Sequence, residues 1–178
     1  SCPTRRSSDL GLYAVDPATG VKQALFEDPD NDLDINPFSD QPGGVVWSFD
    51  YDAHQHIVAT ETMPGLPAIH ILDADDPKGQ FLAQLYQAFP NQKVVITSNT
   101  RDHSKMVVKV SSDKNPGDFY LFDTKTNKAE LLFSSKTEID PDAMAAMQPI
   151  SFKARDGLQL HGYLTTPPGV AAKNLPDR

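Results

Sequence analysis

The sequence predicts a mainly β fold, because a hairpin-forming segment occurs twice and short apolar strands fill the interval between the copies. Leu12–Phe26 and Phe119–Phe133 share the order strand, aspartate, turn, strand. Gly20 and Asn127 lie in the turns, and both residue types tolerate the positive φ of a tight hairpin. A further copy of the first strand is Ala68–Asp73. The marker aspartates, which recur at intervals of roughly fifty residues, are Asp16, Asp73 and Asp123.

Each interval between these segments contains two more apolar strands joined by an acidic turn. The pairs are Val45–Ser48 with His56–Thr60 around Asp52, and Val94–Thr97 with Met106–Val110 around Asp102. Four short strands in up-and-down order at this period are typical of a propeller blade. The sequence therefore predicts a partial β-propeller of about two and a half four-stranded blades. Because propellers close with about four to eight blades, we expect the isolated chain to expose apolar blade faces and to be marginally stable and prone to aggregate.

The segment Asp75–Phe89 interrupts the strand pattern and predicts a short helix. Asp76 suits the N-cap and Pro77 the first helical position. Apolar residues then recur at helical spacing on one face. They are Phe81, Leu82, Leu85 and Phe89. We interpret this helix as a structural element at the edge of a blade.

Composition excludes several classes of protein. Sixteen basic against twenty-four acidic residues give a net charge of −8, which argues against a nucleic-acid or anionic-membrane surface. No apolar run approaches the roughly 20 residues that span a bilayer. Cys2 is the single cysteine, so an internal disulfide and a Cys-x-x-Cys site are excluded. With 39% hydrophobic residues, the chain can form a core and is not a disordered protein.

The two ends of the sequence look foreign to the rest. A widely used short-read sequencing adapter, ACA CGA CGC TCT TCC GAT CT, translates to the residues of Thr4–Leu10. Its reverse complement contains GAT CGG, which encodes the terminal pair Asp177-Arg178. We therefore predict that residues 1–10 and 177–178 are translated adapter, so that Cys2 carries no functional weight; a natural polar tail is the alternative. Residues 1–10 are not a signal peptide, because nothing apolar follows the arginine pair before Leu12.

After the last predicted blade the pattern changes. Residues 138–149 form a proline-bounded connector that has room for one helical turn. Ile150–Ala154 and Leu158–Thr165 are then two alternating strands, and the Asp-Gly turn at Gly157 predicts a hairpin between them. The strand face that we expect to be apolar consists of Leu158, Leu160, Gly162 and Leu164. No blade-type strand follows, so this hairpin leads out of the propeller.

This order of acidic-turn blades, proline-rich connector and strand-Arg-Asp-Gly-strand hairpin resembles the prolyl oligopeptidase family of serine peptidases. The hairpin sequence Ile-Ser-Phe-Lys-Ala-Arg-Asp-Gly-Leu-Gln-Leu-His-Gly-Tyr-Leu-Thr-Thr-Pro-Pro starts at Ile150, and Val110–Asp123 is similar to a last propeller blade of the bacterial acylaminoacyl-peptidase-like branch. The resemblance covers Leu12–Pro176. It implies a propeller that caps an α/β-hydrolase domain with a Ser-Asp-His triad. The implied domains are a partial propeller at 11–137, the connector at 138–149 and the first β-hairpin of the α/β-hydrolase domain at 150–176.

None of the catalytic residues is predicted in this chain. A hydrolase nucleophile elbow needs Gly-x-Ser-x-Gly, and no two of the ten glycines are four positions apart. The family's oxyanion segment, His-Gly-Gly-Pro after an apolar strand, would follow Pro176, where this sequence has Asp177-Arg178. In hydrolase chain order the Asp and His come later still. We therefore assign no catalytic, cofactor-binding or metal-binding residue.

Weaker candidate sites have structural interpretations. His54 and His56 lie in a predicted blade turn, and two imidazoles need further ligands to bind a metal, so we interpret them as solvated. We predict that Trp47 and Phe49 lie on a strand, where packing within a blade is favoured over a peptide-binding platform. His161 falls on the strand face opposite the leucines, where we expect it to be exposed.

An acidic run superficially resembles a calcium-binding loop. Its members are Asp28, Asp30, Asp32 and Asp34. The sixth position of the run is Leu33, where an EF-hand loop needs glycine, and the twelfth is Ser39, where it needs glutamate. We interpret the run as an acidic surface loop.

Two functions stay open at this point. The first is a fragment of a serine peptidase that hydrolyses short peptides, in which this chain supplies the propeller wall or gate and is inactive alone. Its partners would be short peptides, the missing hydrolase domain and the remaining blades, with no nucleic acid and no membrane span. The second is a non-catalytic propeller that binds a protein or ligand. The hairpin from Ile150 to Thr165 favours the peptidase, because it leads towards another domain. The sequence leaves cytoplasm and periplasm equally open.

Overall fold

The computed structural model describes residues 11–28, 44–49, 54–63, 65–157 and 159–167. Within these ranges the protein is mainly β, as predicted. The elements are β1 (Gly11–Val15), β2 (Lys22–Glu27), β3 (Val45–Trp47), β4 (Ile57–Thr62), β5 (Ala68–Ile71), α1 (Pro77–Ala88), β6 (Lys93–Asn99), β7 (Lys105–Ser111), β8 (Asp118–Asp123), β9 (Lys128–Ser134), β10 (Met147–Lys153) and β11 (Gln159–Thr165). The chain divides into two compact units, Ser1–Ala88 and Phe89–Arg178. The predicted adapter residues 1–10 and 177–178 lie outside the described ranges.

The first unit contains a two-stranded and a three-stranded antiparallel sheet. β1 pairs with β2, and β3, β4 and β5 follow one another in the second sheet. β4 is its central strand, and Val58, Ala59 and Thr60 are fully buried there. Leu12 of β1 and Val45 of β3 share a small apolar cluster. The described part of this unit thus contains the predicted outer hairpin and three of the four strands of the next blade.

A helix follows the third strand in the place where a fourth strand would continue the blade. α1 packs on β4 and β5, and Phe81, Leu82 and Leu85 are its buried apolar residues. The Asp76 carboxylate accepts hydrogen bonds from the backbone amides of Lys78 and Gly79, so it caps the helix as predicted. Phe89, predicted on the same face, lies one residue beyond the end of the helix.

The second unit contains the four-stranded blade that the sequence predicts. β6, β7, β8 and β9 pair antiparallel in chain order. β7 alternates strictly, with Met106, Val108 and Val110 buried and the residues between them more exposed. Val94 on β6 and Phe122 on β8 add to the same buried set. The alternation places one face of this sheet on a core, which is the physical reason that its short apolar strands could be recognised from the sequence.

The marker aspartates share one structural role. Each lies where a strand ends and accepts hydrogen bonds, through Oδ1, from the backbone amides two and three positions further along the chain. Asp16 bonds to Ala18 and Thr19, Asp73 to Asp75 and Asp76, and Asp123 to Lys125 and Thr126. An aspartate in this position stabilises the turn that follows. The aspartates therefore recur because each stabilises a turn, and these hydrogen bonds do not indicate a ligand site.

The backbone conformation of Asn127 agrees with the predicted hairpin turn between β8 and β9. Its backbone is left-handed, with φ of 53°, as is the equivalent Gly20 with φ of 70°. Replacing Asn127 by alanine is expected to lower the free energy of unfolding by about 1 kcal/mol, because a Cβ without a local hydrogen-bonding group disfavours this conformation. Asn127→Gly is the control and should leave stability within about 0.5 kcal/mol of the parent chain. Equal urea midpoints for the alanine and glycine variants would contradict the turn assignment.

The hairpin beyond the blade is longer than predicted. β10 begins at Met147, inside the segment expected to be connector, and pairs with β11 through to Thr165. The predicted helical turn of the connector is a 3₁₀ turn at Pro141–Ala143. The strand extends because cross-strand pairing, which the sequence does not display, continues past Pro149 to the end of β11. Gly157 adopts φ of 86° in the hairpin turn, as the Asp-Gly pair predicts.

The faces of this hairpin follow the predicted alternation. Leu160, Gly162 and Leu164 are half-buried on one face of β11, and His161 is exposed on the other. Leu158, predicted on the apolar face, lies outside the described residues. Every residue of β10 is exposed, including Phe152 with 54% of its surface accessible.

Candidate functional site

A cluster of one histidine and two aspartates lies where α1 begins. His56 precedes β4, Asp73 follows β5, and Asp76 caps α1. The His56 Nε2 atom lies 3.2 Å from Asp73 Oδ2 and 3.4 Å from Asp76 Oδ2. On the other side of the ring, Nδ1 lies 3.0 Å from the carbonyl oxygen of His54. One imidazole thus connects the start of a strand with two carboxylates at the start of a helix.

The cluster favours the charged form of the histidine. The hydrogen bond to the His54 carbonyl oxygen and the nearby charges of Asp76 and Asp73 raise the pKa of His56 above its ordinary value, against the opposing effect of desolvation. The ring is 43% exposed, but its Nε2 atom is shielded from solvent and faces the two carboxylates at ion-pair distance without an aligned hydrogen bond. The imidazolium is therefore held by carboxylates, while part of the ring still reaches water.

Lys78 adds a second cation beside the cluster. Its Nζ atom donates a hydrogen bond of 2.7 Å to the carbonyl oxygen of Trp47 and lies 4.9 Å from the centre of the Phe49 ring. Burial lowers the pKa of Lys78, and the charge of Asp76 partly opposes that effect. The side chain therefore ties the first turn of α1 to the end of β3.

One detail of the predicted aromatic packing is wrong. β3 ends at Trp47, so Phe49 lies in the following bend and not on the strand. Trp47 keeps 38% of its surface exposed although it lies only two positions after the buried Val45. A register shift between Val46 and Trp47 interrupts the strand alternation that would otherwise place both side chains on one face. Phe49 is half-buried beside Lys78, which fits its interpretation as a packing residue.

Of the remaining candidates, the structure describes His54 and Asp28. His54 is exposed in the turn before β4, and its carbonyl oxygen contacts the His56 ring. Asp28 ends the first described range, and Asp30, Asp32 and Asp34 lie outside the described residues. Within the described ranges, no group of three histidine, cysteine, aspartate or glutamate side chains is arranged to hold a metal ion. In the same part of the chain, no helix is long and apolar enough to cross a membrane.

The turn between β6 and β7 holds another aspartate by local contacts. Asp102 Oδ1 accepts hydrogen bonds from the hydroxyls of Thr100, at 2.7 Å, and Ser104, at 2.8 Å. These bonds, followed by the Ser104 amide and the Lys125 charge, lower the pKa of Asp102 strongly. All of these groups belong to one exposed turn and its neighbouring hairpin. The contacts therefore stabilise the turn between two strands of the blade, and they offer no reacting group.

The sequence did not reveal the partners of His56. It predicted the cap at Asp76 and the turn at Asp73 separately, and it assigned the histidine to a solvated turn. The signal that was available is the antiparallel register of β4 and β5, which pairs Ala59 with Ile71. Extending that pairing outward brings residues just before β4 close to those just after β5.

Comparison with known proteins adds evidence from most of the chain. The sequence is 32% identical over 162 residues to dipeptidyl peptidase family member 6 of Caenorhabditis elegans, a match that covers 90% of this chain and 20% of the relative. The chain is also similar to a solved structure from a structural and mechanistic study of two prolyl endopeptidases, with a TM-score of 0.50 and 14% sequence identity. That match covers 90% of this chain and 22% of the solved chain. The chain belongs to the prolyl oligopeptidase family. No protein-family profile matches it.

The two similarities carry different weight. The sequence match to the nematode dipeptidyl peptidase supports common descent, whereas the structural match at 14% identity supports the fold alone. This prolyl oligopeptidase family segment spans about one fifth of the length of each relative. The finer placement in an acylaminoacyl-peptidase-like branch stays a prediction.

Proposed function

We propose that this chain is the propeller wall and the first hydrolase hairpin of a serine peptidase that cleaves short peptides. The observation that carries the proposal is the succession of a complete four-stranded blade, β6 to β9, by a separate hairpin, β10 and β11, with an Arg-Asp-Gly turn. A chain that only continued a propeller would be expected to place another four-stranded unit there.

In this proposal the segment controls access and takes no part in bond cleavage. A ring of blades encloses a channel that admits short, extended peptides and excludes folded chains by size. Acylation would require a serine nucleophile, a histidine base and backbone amides that stabilise the oxyanion. The sequence of this chain contains no Gly-x-Ser-x-Gly motif, so these groups would come from the hydrolase domain of the parent protein.

Exposed apolar side chains support the proposal that further domains cover this segment. On β9, Leu131 and Phe133 are more than half exposed, and on β10 the same is true of Phe152. Large apolar residues that cluster on strand surfaces usually mark an interface. The proposed partners are therefore the remaining blades and the rest of the hydrolase domain.

A fluorophosphonate probe, which labels activated serines, tests the catalytic part of this proposal. The 178-residue chain should not be labelled, because it lacks the nucleophile elbow. The protein encoded by the uninterrupted gene should be labelled once per chain, and it should hydrolyse short peptides. Its elbow serine, replaced by alanine, should lose both labelling and activity, by roughly 10⁴-fold or more.

Two results would overturn the proposal in different ways. Stoichiometric labelling of the 178-residue chain would show that a nucleophile is present here after all. A longer reading frame that contains further blades but no Gly-x-Ser-x-Gly motif would instead indicate a non-catalytic binding propeller.

A further inference from the structure

We propose that His56, Asp73 and Asp76 form a pH-dependent clasp that fastens the beginning of α1 to the three-stranded sheet. The clasp closes when His56 is protonated and opens when it loses its proton. This inference concerns the first unit alone, and it does not depend on the proposed peptidase function.

The contacts on both sides of the ring favour its charged form. A carbonyl oxygen can only accept, so the 3.0 Å contact with His54 requires a proton on Nδ1 of His56. A neutral imidazole then has a lone pair on Nε2, and that lone pair would face two carboxylate oxygens at 3.2 and 3.4 Å. Only the imidazolium presents an N–H on both sides. Loss of the proton therefore replaces the attraction between the imidazolium and the two carboxylates by repulsion between the Nε2 lone pair and their oxygens.

In both aspartates one carboxylate oxygen accepts from backbone amides and the other faces His56. Asp76 uses Oδ1 to cap the amides of Lys78 and Gly79, and its Oδ2 faces His56. Asp73 uses Oδ1 to accept from the amides of Asp75 and Asp76, and its Oδ2 also faces His56. The histidine is thus coupled through two carboxylates to four backbone amides at the start of the helix. A change in its charge acts on the whole first turn.

The charged groups around the ring come from every described element that meets there. The loop after β5 contributes the carboxylates of Asp73 and Asp76, and the turn before β4 contributes the carbonyl oxygen of His54. The first turn of α1 contributes Lys78, whose ammonium group is directed to the Trp47 carbonyl oxygen. The nearest charges to His56 Nε2 are therefore the two carboxylates, and the local field favours the imidazolium.

The direction of the pH dependence follows from the raised pKa of His56. The stabilising contribution is fully present below the ordinary histidine pKa of about 6.5. It is lost as the pH rises through the higher pKa of the folded protein. We therefore expect the beginning of α1 to be fastened in mildly acidic solution and to loosen as the pH rises above the pKa of His56 in the folded protein.

Nuclear magnetic resonance of the 178-residue chain tests the clasp directly. The His56 ring signals should titrate at a higher pH in the parent chain than in Asp73→Asn or Asp76→Asn. Asparagine keeps the oxygen that accepts from the backbone amides but removes the charge, so these variants are matched controls. A midpoint for His56 that is unchanged in both variants would overturn the proposal.

Amide exchange supplies a second readout that a purely structural histidine would not change. Protection factors of the Lys78 and Gly79 amides should fall by at least about twofold as the pH rises past the His56 midpoint. In His56→Gln they should be the same on both sides of that pH, and Val108 in the second unit should be unaffected in every variant. Equal pH responses in the parent chain and His56→Gln would overturn the clasp. So would an unprotected first turn of α1 at pH 6, where the clasp should be closed.

Discussion

Replacing Leu85 by alanine is expected to lower the free energy of unfolding of the first unit by about 2–5 kcal/mol. Leu85 lies on the buried face of α1, which packs on β4 and β5, and only 1% of its surface is exposed. Removing its branched end loses the burial of those carbon atoms and leaves a cavity between helix and sheet. Small domains are stable by about 5–15 kcal/mol, so this loss is a large fraction of the total.

The measurement can be confined to the first unit. Trp47 is the single tryptophan of the chain and belongs to β3, so its fluorescence during urea unfolding reports on this unit. Leu66→Ala is the matched control, because Leu66 is 44% exposed and its truncation should change stability by about 0.5 kcal/mol or less. Similar losses for the two leucines would contradict the packing of α1 on the sheet.

Replacing Gly79 by alanine is expected to destabilise the first unit by about 1–3 kcal/mol, although alanine favours helix formation. A Cβ at this position would lie 2.4 Å from the backbone oxygen of Asp73, well inside van der Waals contact, and 3.4 Å from Ile71 Cγ2. The Asp73 backbone has little freedom to move, because its amide donates to the Val58 carbonyl oxygen. Glycine at the start of α1 therefore permits the close approach of helix and strand.

Ala83 provides the comparison that separates packing from helix propensity. It lies on the exposed side of the same helix, where Ala83→Gly should cost about 1 kcal/mol by propensity alone. At position 79 the order should be reversed, with glycine more stable than alanine. A more stable Gly79→Ala chain, measured by the Trp47 fluorescence, would show that the helix does not approach Asp73 as closely as described.

Several elements could be predicted from the sequence because their causes are local. The β8–β9 turn needs a residue that tolerates positive φ, and Asn127 meets that need. The start of α1 needs a capping oxygen and a proline that lacks an amide, which Asp76 and Pro77 supply. The blade strands alternate because one sheet face is buried, as β7 shows around Val108. In each case the residue and its reason lie within a few positions of each other.

Other features could not be predicted because their causes are distant in the chain. The additional residues of β10 from Met147 to Pro149 are strand only because β11 pairs with them. Trp47 was expected to pack within a blade, but it is partly exposed beside a register shift in the pairing of β3 with β4, which no local pattern indicates. The close approach at Gly79 depends on the Asp73 backbone, and no local pattern indicates it.

The sequence by itself determined the repeating strands, the capped helix, the turn aspartates and the resemblance to the prolyl oligopeptidase family. Those properties follow from periodicity, turn chemistry and motif order, all of which are read along the chain. Only the tertiary structure decided that His56 meets Asp73 and Asp76, because sheet register and helix packing bring together groups that come from separate turns. A histidine acquires its proton affinity from the charges around it, and those neighbours are fixed by folding.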